Sequence, residues 1–194
     1  MKQARRLCLA SASPRRRALL EQFGLTFDVF APTVDETPRP GEPPGDLAAR
    51  LCGAKAQAAL RLYPGHLILA GDTVVALDGR LLGKPGSPAE AAGMLAELSG
   101  KTHRVLTGYR LLDGPTGRQV ARVVETAVTF RVLPPEWVGW YSLLPEASDK
   151  AGAYAIQGQG GAMVSGIHGS YANVVGLPVE SVIWDMLEQG WLTW

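Results

Sequence analysis

Residues 67–77, Leu67-Ile68-Leu69-Ala70-Gly71-Asp72-Thr73-Val74-Val75-Ala76-Leu77, form an apolar run broken only at its centre, by Gly71, Asp72 and Thr73. The run predicts a long buried strand, and Asp78-Gly79 predicts a hairpin turn to a short partner near Arg80–Leu82. An aspartate inside such a strand reads in two ways. A carboxylate buried without a partner costs several kcal/mol, so it is paired, metal-bound or protonated, and such positions carry function through a shifted pKa or a metal. Alternatively Asp72 is a satisfied structural residue, or the strand ends at Gly71 and leaves it exposed. Ideal alternation places Asp72 and Thr73 on opposite faces. If both line one pocket, the strand is expected to twist or end there.

Upstream, Leu7–Ser11 reads as a short buried strand and Pro14–Phe23 as a helix with Leu19, Leu20 and Phe23 on one face. Phe27–Ala31 reads as a second strand. The stretch Pro32–Gly45 holds five prolines and several acids; a loop of that length inside a compact domain is more often functional than idle. Leu47, Leu51, Ala54, Ala58 and Leu62 recur at helical spacing, with Asp46 as the expected N-cap.

Downstream, Ser87-Pro88-Ala89-Glu90 is a capping box opening a helix to about Leu98. Two long strands flank Gly114-Pro115-Thr116-Gly117; in the second, Val124, Thr126, Val128, Phe130 and Val132 alternate with Glu125, Ala127, Thr129 and Arg131. Pro134-Pro135 opens a short helix through Trp137 and Trp140. Ala151–Gly169 reads as loops and short strands, Tyr171–Val175 as a strand and Val179–Glu188 as a closing helix. Strands and helices interleave without strict βαβ regularity, which predicts a single α/β domain over 1–194 with a mixed sheet flanked by helices.

Composition narrows the function classes. At 46% hydrophobic and 19% charged, the 194 residues can build a core and are not disordered. A net charge of +1 gives no global field for nucleic acid or an anionic membrane, so an anionic ligand needs a local cationic cluster. Cys8 and Cys52 form no CxxC pair and predict buried thiols in a reducing compartment. The apolar stretch Leu7–Ala10 after the basic Met1–Arg6 is too short for a signal sequence. No apolar run approaches the roughly 20 residues of a membrane span. A soluble, cytoplasmic protein is the expectation.

Ser11-Ala12-Ser13-Pro14-Arg15-Arg16-Arg17 supplies the cluster. Ser13 is a natural N-cap, and the free amides of a helix start favour an anion. Arg15 and Arg16 add forked donors that match phosphate, against the reading of solvated arginines on an ordinary capped helix. Asp35-Glu36 could hold a hard cation with Asp72, since Mg²⁺ takes one or two carboxylates plus phosphate oxygens, or could be a solvated loop pair. Lys55 and Lys84 could each reach a phosphate or be surface lysines. Gly158, Gly160 and Gly161 do not complete a dinucleotide fingerprint, because Met163 occupies its third position. They make a turn beside Gln157, whose donor and acceptor suit a base edge. His66, His103 and His168 show no ligand spacing, and neither a nucleophile elbow nor a Walker motif is present.

In this order the pieces resemble the Maf family of nucleotide pyrophosphatases. The matching stretches are Ser11–Leu20 (SASPRRRALL), Val34–Glu36 (VDE), Ala54–Ala56 (AKA), Gly71–Val75 (GDTVV), Gly83–Pro85 (GKP), Leu98–Gly108 (LSGKTHRVLTG), Asp149–Gly158 (DKAGAYAIQG) and Asn173–Pro178 (NVVGLP). The resemblance implies an elongated mixed sheet around a central cleft, often a homodimer, a divalent cation (Mg²⁺ or Mn²⁺), and hydrolysis of a nucleoside triphosphate between the α- and β-phosphates. It implies Asp72 as general base, Glu36 with Asp72 at the metal, and Ser13, Arg16, Lys55 and Lys84 around the phosphates. Arg15, Thr73 and Gln157 take the form of the dTTP/UTP branch. A branch acting on 7-methyl-GTP or another purine triphosphate is the alternative on this scaffold, and a nucleotide-binding regulator of septum formation is another. The family pattern usually carries alanine where this chain has Gly71.

Overall fold

A computed structural model describes residues 1–194. Its elements begin with β1 (Lys2–Gln3), β2 (Leu7–Ala10), α1 (Pro14–Glu21), β3 (Phe27–Phe30), α2 (Pro44–Leu60), β4 (Leu67–Leu77), β5 (Arg80–Leu82) and α3 (Pro88–Leu98). They continue with β6 (Thr102–Asp113), β7 (Gln119–Phe130), α4 (Pro135–Tyr141), α5 (Pro145–Ser148), β8 (Val164–His168), α6 (Tyr171–Val175), α7 (Val179–Glu188) and β9 (Leu192–Thr193). Seven strands make one mixed sheet in the order β3-β2-β4-β6-β7-β8, with β5 attached to β4; β1 and β9 form a separate ribbon. This is the expected α/β architecture. No helix is long and apolar enough to cross a membrane.

The organising strand is β4. On one side it pairs antiparallel with β6 from Leu67 to Ala76. On the other, β2 runs parallel beside Leu67–Ala70 only, and β5 takes up Val75–Leu77. Gly71–Val74 therefore have no strand partner on that side, and the sheet carries a notch in its middle.

Alternation along β4 is unbroken. Leu67 and Leu69 pack with Leu20 of α1, Tyr109 of β6 and Val182 and Met186 of α7, while Val75 and Leu77 pack with Leu95 and Leu98 of α3. On the opposite face Ile68 and Ala70 meet Ala56 and Ala59 of α2, and Val74 and Ala76 meet Leu47, Ala48 and Leu51. The strand thus neither ends nor switches face at Asp72. Asp72 and Thr73 do lie on opposite faces, and the notch lets one cleft reach both.

A close backbone approach sets the depth of α2. Gly108 on β6 is the register partner of Asp72, and a Cβ there would stand 2.5 Å from the Ala48 carbonyl oxygen. Glycine lets α2 settle onto the sheet at the level of Asp72. Two helical turns after Ala48 comes Lys55.

Three local expectations need correction. The N-cap of α2 is Pro43 rather than Asp46, and no side chain caps it; Pro44 sits where a missing N–H costs nothing, and Asp46 falls inside the first turn, where its charge suits the dipole. Residues Tyr171–Val175 are helical, not a strand. The Ser170 side chain accepts from Asn173 N and Gly176 (φ 135°) closes the helix, which overrides the β-propensity of Val174 and Val175. In α3, Ser87 caps as expected, but the Glu90 carboxylate reaches back to Gly86 N. Cys8 and Cys52 are free and buried.

Gly108→Ala is expected to destabilise the fold by about 1–3 kcal/mol through overpacking. By contrast Gly93→Ala, inside α3 with open space around its Cβ, should stabilise by roughly 0.5–1 kcal/mol. Circular-dichroism melts of the two variants should move in opposite directions; a Gly108→Ala melt at the wild-type temperature would show that α2 can lift off the sheet freely.

Candidate active site

The notch opens into a cleft lined by 20 residues. Its walls come from the β2–α1 turn, the loop before α2, the middle of β4, the segment after α5 and the end of α6. Nine of the residues singled out in the sequence line it: Ser13, Arg15, Arg16, Glu36, Lys55, Asp72, Thr73, Lys84 and Gln157. Asp35 does not join them; its Oδ1 accepts from Thr37 N at 2.9 Å within its own loop. No histidine lines the cleft.

Three charged side chains form the floor, with Asp72 8% exposed and Lys55 and Arg16 each 9%. The Asp72 carboxylate is paired: Lys55 Nζ lies 2.5 Å from its Oδ1 and 2.6 Å from Glu36 Oε1. Glu36 reaches this point because its loop is clamped to α2. Arg50 donates to Glu42 Oε1 at 2.6 Å and Oε2 at 2.8 Å and to the Thr37 carbonyl at 3.0 Å. The Lys55 hydrogen bond holds the Glu36 carboxyl below its ordinary pKa, with partial burial opposing. One ammonium therefore sits where two carboxylates converge.

Arg16 is held differently. Its guanidinium donates to the Gly176 carbonyl at 2.7 Å, to Ser11 Oγ at 3.0 Å and to Thr73 Oγ1 at 3.0 Å. None of these partners is charged. Burial lowers its pKa, while Asp72 and Glu36 act in the opposite sense; an arginine nonetheless stays protonated at neutral pH. The buried charge is thus fixed in direction and not neutralised by direct contact. Ser13 caps α1, its Oγ accepting from Arg16 N, and Arg15 Nε donates to the Val175 carbonyl at 3.3 Å. A Cβ at Gly71 would lie 3.4 Å from Arg16 Nε and 3.5 Å from Leu177 Cδ1. These are ordinary contacts, so alanine would fit there.

Lys84 and Gln157 stand exposed on the rim. Asp149, Lys150 and Tyr154, which carried no role in the sequence reading, also line the cleft. Lys150 is ion-paired with Asp149; in sequence the two resemble any surface pair. Tyr154 is buried, with its hydroxyl 2.8 Å from His103 Nε2. Burial pushes the His103 imidazole down to about 4, so it remains neutral. The cleft holds five cationic side chains against three carboxylates, although the whole chain carries only +1. This local excess is what a polyanionic ligand requires.

The family model described as Maf-like protein matches residues 6–189. A protein of Syntrophus aciditrophicus named dTTP/UTP pyrophosphatase is 45% identical over 97% of this chain and 92% of its own length. Proteins of the same name from Myxococcus xanthus and Geobacter metallireducens are 49% and 44% identical, over 91% and 98% of this chain and 89% and 99% of theirs.

The lowered Glu36 pKa has a definite linkage sign. With the folded value below the unfolded one, the Glu36–Lys55 contact adds stability above the ordinary carboxylate range and loses it as pH falls through the lowered value. The side chain is half exposed, so screening keeps the effect small. Melting temperatures of wild type and Glu36→Gln should therefore differ at neutral pH and converge in acid. A gap that widens on acidification would contradict this assignment.

Proposed function

The chain belongs to the Maf family, and from that premise we propose that its cleft hydrolyses dTTP and UTP to the nucleoside monophosphate and pyrophosphate. The observation that carries the reading is a buried carboxylate, Asp72, set among locally concentrated cations in a cleft whose rim offers Arg15 and Gln157. The relatives' printed name supplies the substrate pair.

In this mechanism Arg16, Lys55 and Lys84 receive the triphosphate, and the Ser13 end of α1 adds amide donors. Asp72 accepts a proton from a water aligned with the α-phosphorus. The water oxygen bonds to that phosphorus as the bond to the oxygen bridging towards the β-phosphate breaks. The electron pair leaves with pyrophosphate, whose growing charge the fixed cations stabilise. Preorganisation matters here: Arg16 is already aimed by three neutral partners and need not reorganise.

The residues present fit a divalent cation. Glu36 and Asp72 are hard-oxygen donors converging on one point, now held by Lys55 Nζ, and no third His, Cys, Asp or Glu completes a protein-only cage. Mg²⁺ commonly binds through one or two carboxylates, with phosphate oxygens and waters filling the rest. When bound there, such a cation would supply Lewis-acid charge against the phosphate oxygens. Lys55 would then exchange its carboxylate partners for phosphate.

For the base, Arg15 supplies donors and Gln157 a donor and an acceptor, which together meet O4, N3–H and O2 of uracil or thymine. The Thr73 hydroxyl is already engaged by Arg16, Thr107 Oγ1 at 2.9 Å and the Gly176 carbonyl at 3.2 Å. It acts by holding Arg16 rather than by touching the base. A panel of UTP, dTTP, CTP and 7-methyl-GTP with product identification tests the reading. UTP and dTTP should lead and give monophosphate plus pyrophosphate; a preference for 7-methyl-GTP, or diphosphate plus orthophosphate as products, would overturn it.

Two variants sharpen the roles. Asp72→Asn keeps the shape and removes the basic oxygen, so turnover should fall by about 10²–10⁴-fold. Because Lys55 retains Glu36, cooperative unfolding should persist; near-normal turnover would remove Asp72 as base. Gln157→Ala should narrow the preference for UTP over CTP, set at about tenfold or more in kcat/KM (~1.4 kcal/mol), because a bound base would cover the Gln157 amide and a mismatched edge would leave it unpaired. An unchanged ranking of the four nucleotides in that variant would place base selection elsewhere.

A further inference from the structure

Both arginines of the cleft hang from consecutive carbonyls at the end of one short helix. Arg15 Nε donates to Val175 O and Arg16 Nε to Gly176 O. Whatever fixes the end of α6 therefore fixes the aim of two guanidinium groups at once. α6 is only five residues long, too short to hold itself in place. Its anchor lies outside the cleft.

That anchor is the side chain of Asn173, which is 0% exposed. Its Nδ2 donates to the Val105 carbonyl at 3.0 Å and to Thr126 Oγ1 at 2.9 Å. Val105 and Thr126 face each other across β6 and β7. Thr126 Oγ1 also accepts from Ser170 N at 3.1 Å and donates to Ser170 O at 3.2 Å. A hydroxyl offers one donor and two acceptor sites, so that of Thr126 is saturated. Thr107 Oγ1 donates to the Asn173 carbonyl at 3.2 Å while standing 2.9 Å from Thr73 Oγ1. The polar chain thus returns through Thr73 to Arg16 by a second route.

The asparagine leaves one group unmet. Asn173 Oδ1 is buried without a partner, whereas both amide hydrogens are used. Flipping the amide would set its oxygen against the Val105 carbonyl, so the orientation is determined. A buried orphan acceptor is unfavourable, and an apolar side chain of similar size would avoid it. Such a local conflict within a satisfied core is expected where geometry serves a site.

We propose that the Asn173–Thr126 pair, which does not line the cleft, positions Arg15 and Arg16 through α6 and so sets triphosphate affinity and base selection from beneath that helix. The inference rests on the reading that these arginines engage a pyrimidine nucleoside triphosphate.

The test uses the full chain and three variants. Thr126→Val keeps shape and removes the hub oxygen; Thr126→Ser keeps the oxygen; Thr102→Val removes a hydroxyl from the exposed Thr102–Thr129 pair on the same two strands and serves as control. Melts establish folding, and equilibrium binding of UTP and CTP is measured beside kcat and KM. Thr126→Val should raise the UTP dissociation constant and KM about tenfold, the low end of what losing one hydrogen bond from a charged guanidinium removes. It should change kcat much less and should reduce the UTP-over-CTP ratio. Thr126→Ser should restore both, and Thr102→Val should alter neither. A folded Thr126→Val with wild-type affinity and selectivity would overturn the inference. If Thr126→Val does not fold, Ser170→Ala, which removes the α6 cap, must show the same loss or the inference fails. If wild type itself shows no pyrimidine preference, the functional reading fails, and that outcome is visible before any variant is made.

Discussion

The site depends on β2 stopping four residues into its pairing with β4. Had β2 continued past Ala10, Gly71–Val74 would be enclosed between two strands. Asp72 and Thr73 would then face separate covered layers, with no common space between them. Because the partner ends and α1 begins at Pro14 behind its Ser13 cap, the edge of β4 is open over one short interval. A single cleft there receives Lys55 from the α2 face and Arg16 from the α1 side. The alternation of a strand, which ordinarily separates neighbouring residues, here delivers a carboxylate and the hydroxyl that holds an arginine to the same opening.

Two kinds of buried cation follow from this geometry. Arg16 is surrounded by a carbonyl and two hydroxyls, so its charge remains unneutralised by direct contact and its direction is set before any ligand arrives. Lys55 is shared by Glu36 and Asp72. It can leave only when something else compensates those carboxylates. The first arrangement leaves a cation free to attract an anion; under the proposed function, the second would couple the arrival of phosphate to that of a positive charge. A protein of nearly zero net charge thereby builds a strong field in one place.

Much of this was legible in the sequence. Asp72 in a hydrophobic run, the Ser13-Pro14-Arg15-Arg16 helix start and the Asp78-Gly79 turn each have a local physical signature, and each lies where expected. The nine candidates came together because their signals were local, whereas their partners were not. Nothing near Asp72 in the chain announces Lys55, which arrives through a close helix–sheet approach at Gly108. The short helix at Tyr171–Val175 carries local signals in the Ser170 cap and Gly176, but its valines favour strands and the contacts that anchor it, Thr126 and Val105, are distant in sequence. Asp149, Lys150 and Tyr154 lie in the quoted DKAGAYAIQG stretch, but only the fold turns them toward the notch. Asp46 failed as a cap because the preceding prolines start the helix earlier.

The central claim is that water, activated beside Asp72, attacks the α-phosphorus of a pyrimidine nucleoside triphosphate. Hydrolysis of UTP in oxygen-18 water, with mass spectrometry of both products, tests it most directly. The account predicts one labelled oxygen in UMP and none in pyrophosphate. Label in the pyrophosphate, which would mean attack at the β-phosphorus, or release of UDP with labelled orthophosphate would contradict it.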